Sequence, residues 1–310
     1  MSAAGGAKHT LTLAHSADAD DVYMWWPLTG KVEPAAPWRV LTPPALDTGA
    51  FAFRALPEDI QVLNRRARSV GDLDITAASF AAYPSVAQHY IIADCGSSMG
   101  MGFGPKVVGP AGRGVRGAAA LRGSSGARIA IPGRETSAFL ALSLLMRGVV
   151  FEAVEVPFDR VAETVTSGAA DFGVVIHEDQ LMYARKGLEL AVDLGAWWQE
   201  QFAAPMPLGA NLVRRDLDAR FGSGALARVG RLLRQSLDYA HAHRTEALAY
   251  AKTFSPLKDD VELARYLDMY VNPFTTTLGA AGQSAVRMLI GKAAANAGVN
   301  LGDIDFLPGV

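Results

Sequence analysis

The sequence predicts an α/β protein in which helices cover the sheets. From residue 10 to about residue 215, short apolar runs alternate with amphipathic stretches, and beyond about residue 216 only helical periodicity remains. A chain that alternates strands and helices forms mainly parallel sheets covered by helices on both faces. Ligands of such sheets bind beyond the carboxyl ends of the strands, so polar residues that follow a predicted strand are the candidates for a functional site.

Apolar runs of three to five residues predict the buried strands. They lie at 11–14, 90–93, 106–108, 128–131, 152–156, 172–176, 190–193 and 210–213. Segments with helical spacing or helix-start residues lie between them, at 21–28, 57–69, 136–146 and 159–167. The C-terminal part predicts helices at 224–241, 245–253, 259–270 and 280–297. The first of these has the apolar face of a helix packed on a core, formed by Leu232, Leu233, Leu237 and Ala240.

Two segments are candidates for the passages between the lobes. Residues 109–126 form a loop rich in glycine and small side chains, and a second candidate lies near 207–210. Two passages would give a first lobe made of residues 1–108 and 211–310, which contains both chain ends. The inserted second lobe would then be residues 109–210, and the helical tail would complete the first lobe. The strand pattern alone supports only the α/β class, and this two-lobed layout, with a cleft between the lobes, depends on the family resemblance described below.

Composition excludes several classes of protein. The net charge is −2 and no long basic run occurs, so no nucleic-acid partner is expected. The most apolar stretch, residues 138–146, is far shorter than the ~20 residues that cross a bilayer, so no membrane partner is expected either. Residues 1–10 lack the cationic start and apolar core of a secretory signal, which predicts a cytoplasmic protein.

The sequence argues against a metal site and against a reactive cysteine. Cys95 is the only cysteine, so a disulfide within the chain and zinc sites with several thiolates are excluded, and a buried, inert thiol is predicted. Asp18, Asp20 and Asp21 could together ligate Mg²⁺, but no second acidic cluster accompanies them, and no metal is predicted. Asp20 or Asp21 is interpreted instead as a cap of the following helix.

His177 is the best-placed catalytic candidate. It follows the apolar run 172–176, which puts it at the cleft edge of the sheet, where a group that titrates near neutral pH can remove a proton. The ordinary histidine pKa of ~6.5 would leave it mostly neutral at cytoplasmic pH. A structural histidine bonded to nearby backbone is the alternative. His15, at the end of the first strand, is the second candidate for the base.

Three further segments are candidates for the cleft walls. Residues 96–105 contain alternating glycines without the ending of a phosphate-binding loop, which predicts a sharply bent segment lining the cleft. Thr136 and Ser137 start a helix after a strand, where they would either bind a carboxylate or simply cap the helix. Trp197 and Trp198 would either cover the core or form an apolar wall for a flat aromatic ligand.

The order of several motifs resembles the 1,4-dihydroxy-6-naphthoate synthase family of the futalosine route to menaquinone. The most specific elements are His177-Glu178 after an apolar strand and the sequence VDLGAWW at 192–198. The supporting segments are 104–105, 132–134, 205–210 and 270–272. The resemblance runs from about residue 11 to residue 290. It implies the fold of type II periplasmic solute-binding proteins, adapted to an enzyme.

The family resemblance implies a reaction and a set of site residues. The implied substrate is cyclic dehypoxanthine futalosine, which a base fragments to 1,4-dihydroxy-6-naphthoate and a small sugar-derived fragment. That role falls on His177, with no metal or organic cofactor. Substrate contacts are expected at Ser79, Ser137 and Ala138, and further candidates are Ser16, Thr136 and Asn272. Ser79 is expected in the first lobe, and Ser137 and His177 in the inserted one. The chain would act as a monomer or homodimer.

Departures from the family pattern leave rival functions open. Residues 16–21 differ from the usual start, Ala77 replaces a lysine of some members, and Met101 replaces an acidic residue. The missing lysine leaves open which group holds the substrate carboxylate. The rivals are a chorismate dehydratase-like enzyme of the same pathway and a non-catalytic solute-binding protein, which would need export.

Overall fold

Strand pairing divides the chain between two sheets. The computed structural model describes residues 8–69 and 71–309. The strands, in chain order, are β1 (His9–Ser16), β2 (Lys31–Glu33), β3 (Ala36–Thr42), β4 (Phe51–Glu58), β5 (Ile75–Ser79), β6 (Tyr90–Ala93), β7 (Ser98–Gly100), β8 (Lys106–Pro110), β9 (Arg128–Ile131), β10 (Glu152–Glu155), β11 (Phe172–Val175), β12 (Leu188–Asp193), β13 (Met206–Arg214) and β14 (Phe306–Leu307). Within these ranges, the first sheet has the order β14-β6-β13-β5-β1-β4 with β7 paired to β13, and the second has the order β10-β9-β11-β8-β12. Strands β2 and β3 form a separate hairpin.

Helices cover both sheets, and the C-terminal third is helical as predicted. They are α1 (Ala19–Thr29), α2 (Ile60–Ser69), α3 (Ala118–Arg122), α4 (Ser137–Leu145), α5 (Val161–Thr166), α6 (Asp179–Met182), α7 (Leu194–Phe202), α8 (Leu217–Phe221), α9 (Ala225–Ala242), α10 (Arg244–Phe254), α11 (Asp260–Tyr270), α12 (Pro273–Thr276) and α13 (Gly279–Ala297). Helix α1 is buried along its whole length because α9 and α10 pack against it. In the described part of the chain, no helix is long and apolar enough to span a membrane.

The two sheets define two lobes, but the predicted passages between them were misplaced. Strand β8 belongs wholly to the second sheet and β13 wholly to the first, so boundaries after residues 108 and 210 cut through both strands. The chain passes between the sheets at 101–105 and again near 203–205. The Gly-rich segment 109–126 lies inside the second lobe, where it ends β8 and leads through α3 to β9. It was misread because glycine marks any tight turn as readily as a passage between lobes.

The sheets are mixed, whereas mainly parallel pairing was predicted. Strand β1 pairs in parallel with β4 and β5, and β9 pairs in parallel with β10 and β11. Strand β13 is antiparallel to β5 and β6, and β8 is antiparallel to β11 and β12. Each antiparallel strand is the one that the chain enters after passing from the other lobe. Both β8 and β13 thus run against the strands on either side of them in their sheets.

Two strands that position the site were not predicted. In β4, Phe51, Phe53 and Ala55 are buried in alternation, a period-two pattern that was open to detection. Strand β5 is buried on both faces and reads ITAAS, with one large apolar side chain, so its composition carries little strand signal. The predicted helix at 57–69 begins instead at Ile60, because residues 57 and 58 still belong to β4.

A close backbone approach joins the first passage to the second lobe. Gly195, in the first turn of α7, lies against the backbone of Phe103 and Gly104. A Cβ atom at residue 195 would sit 1.9 Å from the Phe103 carbonyl carbon and 2.3 Å from the Gly104 nitrogen. No side-chain rotation relieves such a contact, so only glycine fits at residue 195.

We expect Gly195→Ala to lower the free energy of unfolding by about 1–3 kcal/mol, the usual effect of overpacking. Gly291→Ala, in the middle of α13, is the matched control because a Cβ there has nothing within 4 Å. It should be neutral or stabilise by up to about 1 kcal/mol through helix propensity. Urea denaturation of both variants provides the comparison, and equal midpoints would contradict the close approach at residue 195.

Candidate active site

A cavity of about 690 Å³, counting its open mouth, lies between the two lobes. It contains most of the residues predicted for the site. Ser16 ends β1 and Ser79 ends β5 on the first lobe, while His177 follows β11 on the second. Thr136, Ser137 and Ala138 line the cavity at the start of α4. The lobes thus bring together residues that are as far as 161 positions apart in the chain.

His177 is held in an unusual backbone conformation beside an acidic partner. Its φ angle is 51°, in the left-handed region that residues other than glycine seldom adopt. Its Nδ1 is hydrogen-bonded to Oδ2 of Asp18, and its Nε2 is buried without a protein partner. The edge of the Phe158 ring packs against the imidazole at a centroid distance of 4.7 Å. The ring is therefore fixed with one nitrogen unoccupied in the cavity wall.

The acidic surroundings set the basicity of His177. Burial by itself lowers the pKa of the imidazole, but the charge and hydrogen bond of Asp18, helped by Glu178 and Asp20, raise the pKa to about 9. Burial likewise opposes ionisation of Asp18, yet the facing imidazolium lowers the pKa of that carboxyl below its ordinary value. The two groups thus form an ion pair in the unliganded protein. The expectation of an ordinary, mostly neutral histidine was wrong because it ignored Asp18.

The three carboxyls of the segment 18–21 also make hydrogen bonds that hold the local structure. Asp18, rather than Asp20 or Asp21, is the N-cap of α1, since it accepts a hydrogen bond from the Asp21 N–H at 3.4 Å. Asp21 accepts from the Ser16 N–H at 2.6 Å, and burial raises its pKa to about 8. Asp20 accepts from the hydroxyls of Tyr266 and Ser98. Burial together with the charge of Asp18 raises the pKa of Asp20 well above its usual range.

Two of the hydroxyl groups predicted to contact substrate, those of Thr136 and Ser137, already make hydrogen bonds within the protein. Thr136 Oγ1 donates to the Gly133 carbonyl at 2.8 Å and accepts from the Phe139 N–H, so it is the cap of α4. Ser137 Oγ donates to the Leu208 carbonyl at 2.7 Å, across the cleft. The N–H groups in the first turn of α4 have no acceptor within the helix, so they are the donors at this helix start that a ligand could use.

Ser79 and Ser16 keep hydrogen-bonding capacity that faces the cavity. Ser79 Oγ accepts from Asn64 Nδ2 at 3.1 Å, and its backbone N–H donates to Asn64 Oδ1 at 2.8 Å. The Ser79 hydroxyl proton is therefore free to be donated to a ligand. Ser16 Oγ is buried without a partner, and so is Oδ1 of Asn211, a cavity residue that the sequence did not suggest.

Asn272 was predicted as a substrate contact, and the structure gives it another role. Its Nδ2 donates to the carbonyls of Met99 and Met269, both at 2.9 Å, and its Oδ1 accepts from the Phe274 N–H. With Thr275 it forms the capping box of α12, outside the cavity lining. The signal was misleading because an asparagine before proline marks a helix start as well as a binding site.

The remaining candidates belong to the core. Trp198 is fully buried and neither tryptophan of the pair lines the cavity, so Trp197 and Trp198 cover the core. Cys95 is buried, and burial raises its thiol pKa to about 12. His15 is buried outside the cavity lining with Nδ1 bonded to the Ser16 carbonyl, and burial lowers its pKa. His177 is therefore the better placed of the two histidines.

The polar inventory of the cavity limits its chemistry. Among the cavity-lining residues that the structure describes there is no lysine or arginine. In residues 8–69 and 71–309, no group of three or more His, Cys, Asp or Glu side chains is arranged to share a metal ion. Ile60, Ile176 and Leu208 supply apolar walls, and Tyr270 donates to Gln180 Oε1 at 2.7 Å. The arrangement suits proton transfer to and from an uncharged, partly apolar group.

Comparison with known proteins places the chain in a family. Residues 11–295 match the family model described as menaquinone biosynthesis. The chain belongs to this family. A relative from Thermus thermophilus, named 1,4-dihydroxy-6-naphtoate synthase, is 37% identical over 286 residues, which is 92% of this chain and 94% of the relative.

Solved structures confirm the fold. A crystal structure of a protein from Archaeoglobus fulgidus superposes with a TM-score of 0.78 at 34% identity, covering 94% of this chain and 99% of that one. The alkanesulfonate-binding protein of Xanthomonas axonopodis pv. citri, bound to MOPS, gives a TM-score of 0.63 at 15% identity, covering 94% of this chain and 92% of its own. The predicted periplasmic solute-binding fold, with two lobes and a central cleft, is confirmed.

Proposed function

We propose that this chain converts cyclic dehypoxanthine futalosine to 1,4-dihydroxy-6-naphthoate, as a carbon–carbon lyase of menaquinone biosynthesis. The observation that carries the proposal is the pairing of His177 with Asp18 in the cavity of a member of this family, which leaves Nε2 unoccupied. A base at this position is what a fragmentation started by proton removal requires.

His177 acts as the proton acceptor in this proposal. Nε2 takes a proton from the substrate, a carbon–carbon bond breaks, and a small sugar-derived fragment leaves as the remaining ring becomes aromatic. The imidazolium that forms is stabilised by Asp18, whose carboxylate is already hydrogen-bonded to Nδ1. The step transfers a proton without oxidation or reduction, so it requires no redox cofactor.

The start of α4 is the proposed site for the substrate carboxylate. Ala77 provides no cation, and none of the described cavity residues is a lysine or arginine. The first-turn N–H groups at Ser137 and Ala138 lie at the positive end of the helix dipole, which favours an anion. The Ser79 hydroxyl proton is a further donor on the opposite lobe.

The direct test is a mass-spectrometric assay of the purified protein with cyclic dehypoxanthine futalosine. Wild type should form 1,4-dihydroxy-6-naphthoate. His177→Asn, which keeps the size of the side chain but removes its basicity, should lower kcat by about 10²–10⁴-fold, the usual contribution of a positioned base. His243→Asn, at an exposed position after α9, is the matched control and should retain full activity.

Other outcomes of this assay would favour the rival functions. Tight binding of the cyclic compound without turnover would indicate a solute-binding protein. Dehydration of chorismate, with no reaction of the cyclic compound, would indicate the sister enzyme. Near-normal turnover by His177→Asn would show that another group is the base, and a failure of that variant to fold would assign His177 a structural role.

The pH dependence of kcat/KM should report the unusual pKa of His177. The base acts only after it has lost its proton, so activity is lost as the pH falls below the pKa of the free enzyme. With a pKa of about 9, kcat/KM should rise about tenfold per pH unit between pH 6 and 8 and level off only near pH 9. Stopped assays over pH 6–10 measure this. A plateau already reached at pH 7 would contradict the effect of Asp18.

A further inference from the structure

The hydrogen bond between Asp18 and His177 joins the two lobes. Asp18 follows β1 of the first lobe, and His177 follows β11 of the second. Both side chains are largely excluded from solvent, with exposed fractions of 5% for Asp18 and 14% for His177. The second oxygen of Asp18 accepts from the Asp21 N–H at the start of α1. The carboxylate is therefore fixed by its own helix before it contacts the imidazole.

This contact determines which ring nitrogen carries the proton. An ionised carboxylate only accepts hydrogen bonds, so Nδ1 of His177 must be the donor. A neutral imidazole then has its lone pair on Nε2, the nitrogen without a protein partner. Phe158 packs against the ring through an edge-to-face contact with an interplanar angle of 71°, which restricts rotation. The direction of Nε2 is thus set from two sides.

The left-handed backbone conformation of His177 is a further sign that the position of its imidazole matters for function. A left-handed conformation of a residue other than glycine costs about 1–3 kcal/mol and persists only where the surrounding structure enforces it. At φ 51° the chain turns sharply between β11 and α6, directly after the buried strand. The turn aims the imidazole across the cleft toward Asp18.

We propose that Asp18 is the positioning residue of the base and that it acts from the opposite lobe. It holds His177 in the tautomer protonated at Nδ1 and directs Nε2 toward the substrate. During catalysis the substrate proton moves to Nε2, Nδ1 keeps its own proton, and the resulting imidazolium stays paired with the carboxylate. This inference rests on the proposed function, in which His177 is the base.

Proton NMR of the ligand-free protein tests the pairing independently of any substrate. An imidazole N–H bonded to a buried carboxylate exchanges slowly and resonates far downfield. Wild type should show such a signal, and His177→Asn should lack it, which assigns it. Asp18→Asn and Asp18→Ser should also lack it, although both residues still cap a helix. Asp303→Asn, at an exposed position, should retain the signal.

Kinetics of the same variants test the positioning role. Asp18→Asn should lower kcat by about 10- to 100-fold, the scale of a misplaced catalytic group, with a change of only a few-fold in KM. The rise of kcat/KM should also move to lower pH, a change that a purely structural role would not produce.

The two measurements separate the possible failures. A missing signal in wild type, its persistence in both Asp18 variants, or an unchanged kcat in Asp18→Asn would overturn the inference. If the signal behaves as expected but wild type does not convert the cyclic compound, the pairing stands and the proposed function fails.

Discussion

The hydrogen-bonded ion pair between Asp18 and His177 is the interaction on which the site depends. The charged form of each buried group is stabilised by the other, since burial alone disfavours both charges. Each group therefore requires the other, and each comes from a different lobe. The arrangement of β1 and β11 at facing sheet edges is what makes the contact possible. A helix cap and a strand-end histidine become a buried hydrogen-bonded pair in the cavity wall when the lobes meet.

The fold supports this contact through small residues at the passages between the lobes. Gly104 and Gly195 approach so closely that a Cβ atom at residue 104 would lie 2.9 Å from the Gly195 backbone. A continuous apolar core joins the sheets nearby and includes Ala14 and Leu212 from the first sheet with Val107 and Ile129 from the second. The lobes are thus packed at one side and meet through polar side chains in the cleft. This separation allows a polar cavity beside a well-packed core.

The sequence predicted the fold better than it predicted the site. Periodicity identified the C-terminal helices, and apolar runs identified the strands with large β-branched side chains, such as 128–131 and 172–176. Strand β5 was missed because alanine and serine carry little strand preference. The passages between lobes were misplaced because pairing partners, which decide to which sheet β8 belongs, are set by tertiary contacts.

Among the site residues, single positions were predicted and their partners were not. His177 and Ser79 line the cavity, and His177 was identified by its place after a buried strand. The role of Asp18 was hidden, because a pairing across 159 positions has no local signal. The same reason explains the wrong expectation for the His177 pKa, which depends on charges that only the folded chain brings together. The prediction for Asn272 was wrong for the opposite reason. Its position before a proline is explained by its local role as the cap of α12.

The most direct test of this account is an NMR titration of the His177 imidazole in the ligand-free protein labelled at its histidines. The resonance is assigned by its absence from His177→Asn. The buried pair with Asp18 predicts that the ring is still protonated at pH 7.5 and loses half of its protonation near pH 9. A midpoint at or below the ordinary histidine value of about 6.5 would contradict the central role of the ion pair.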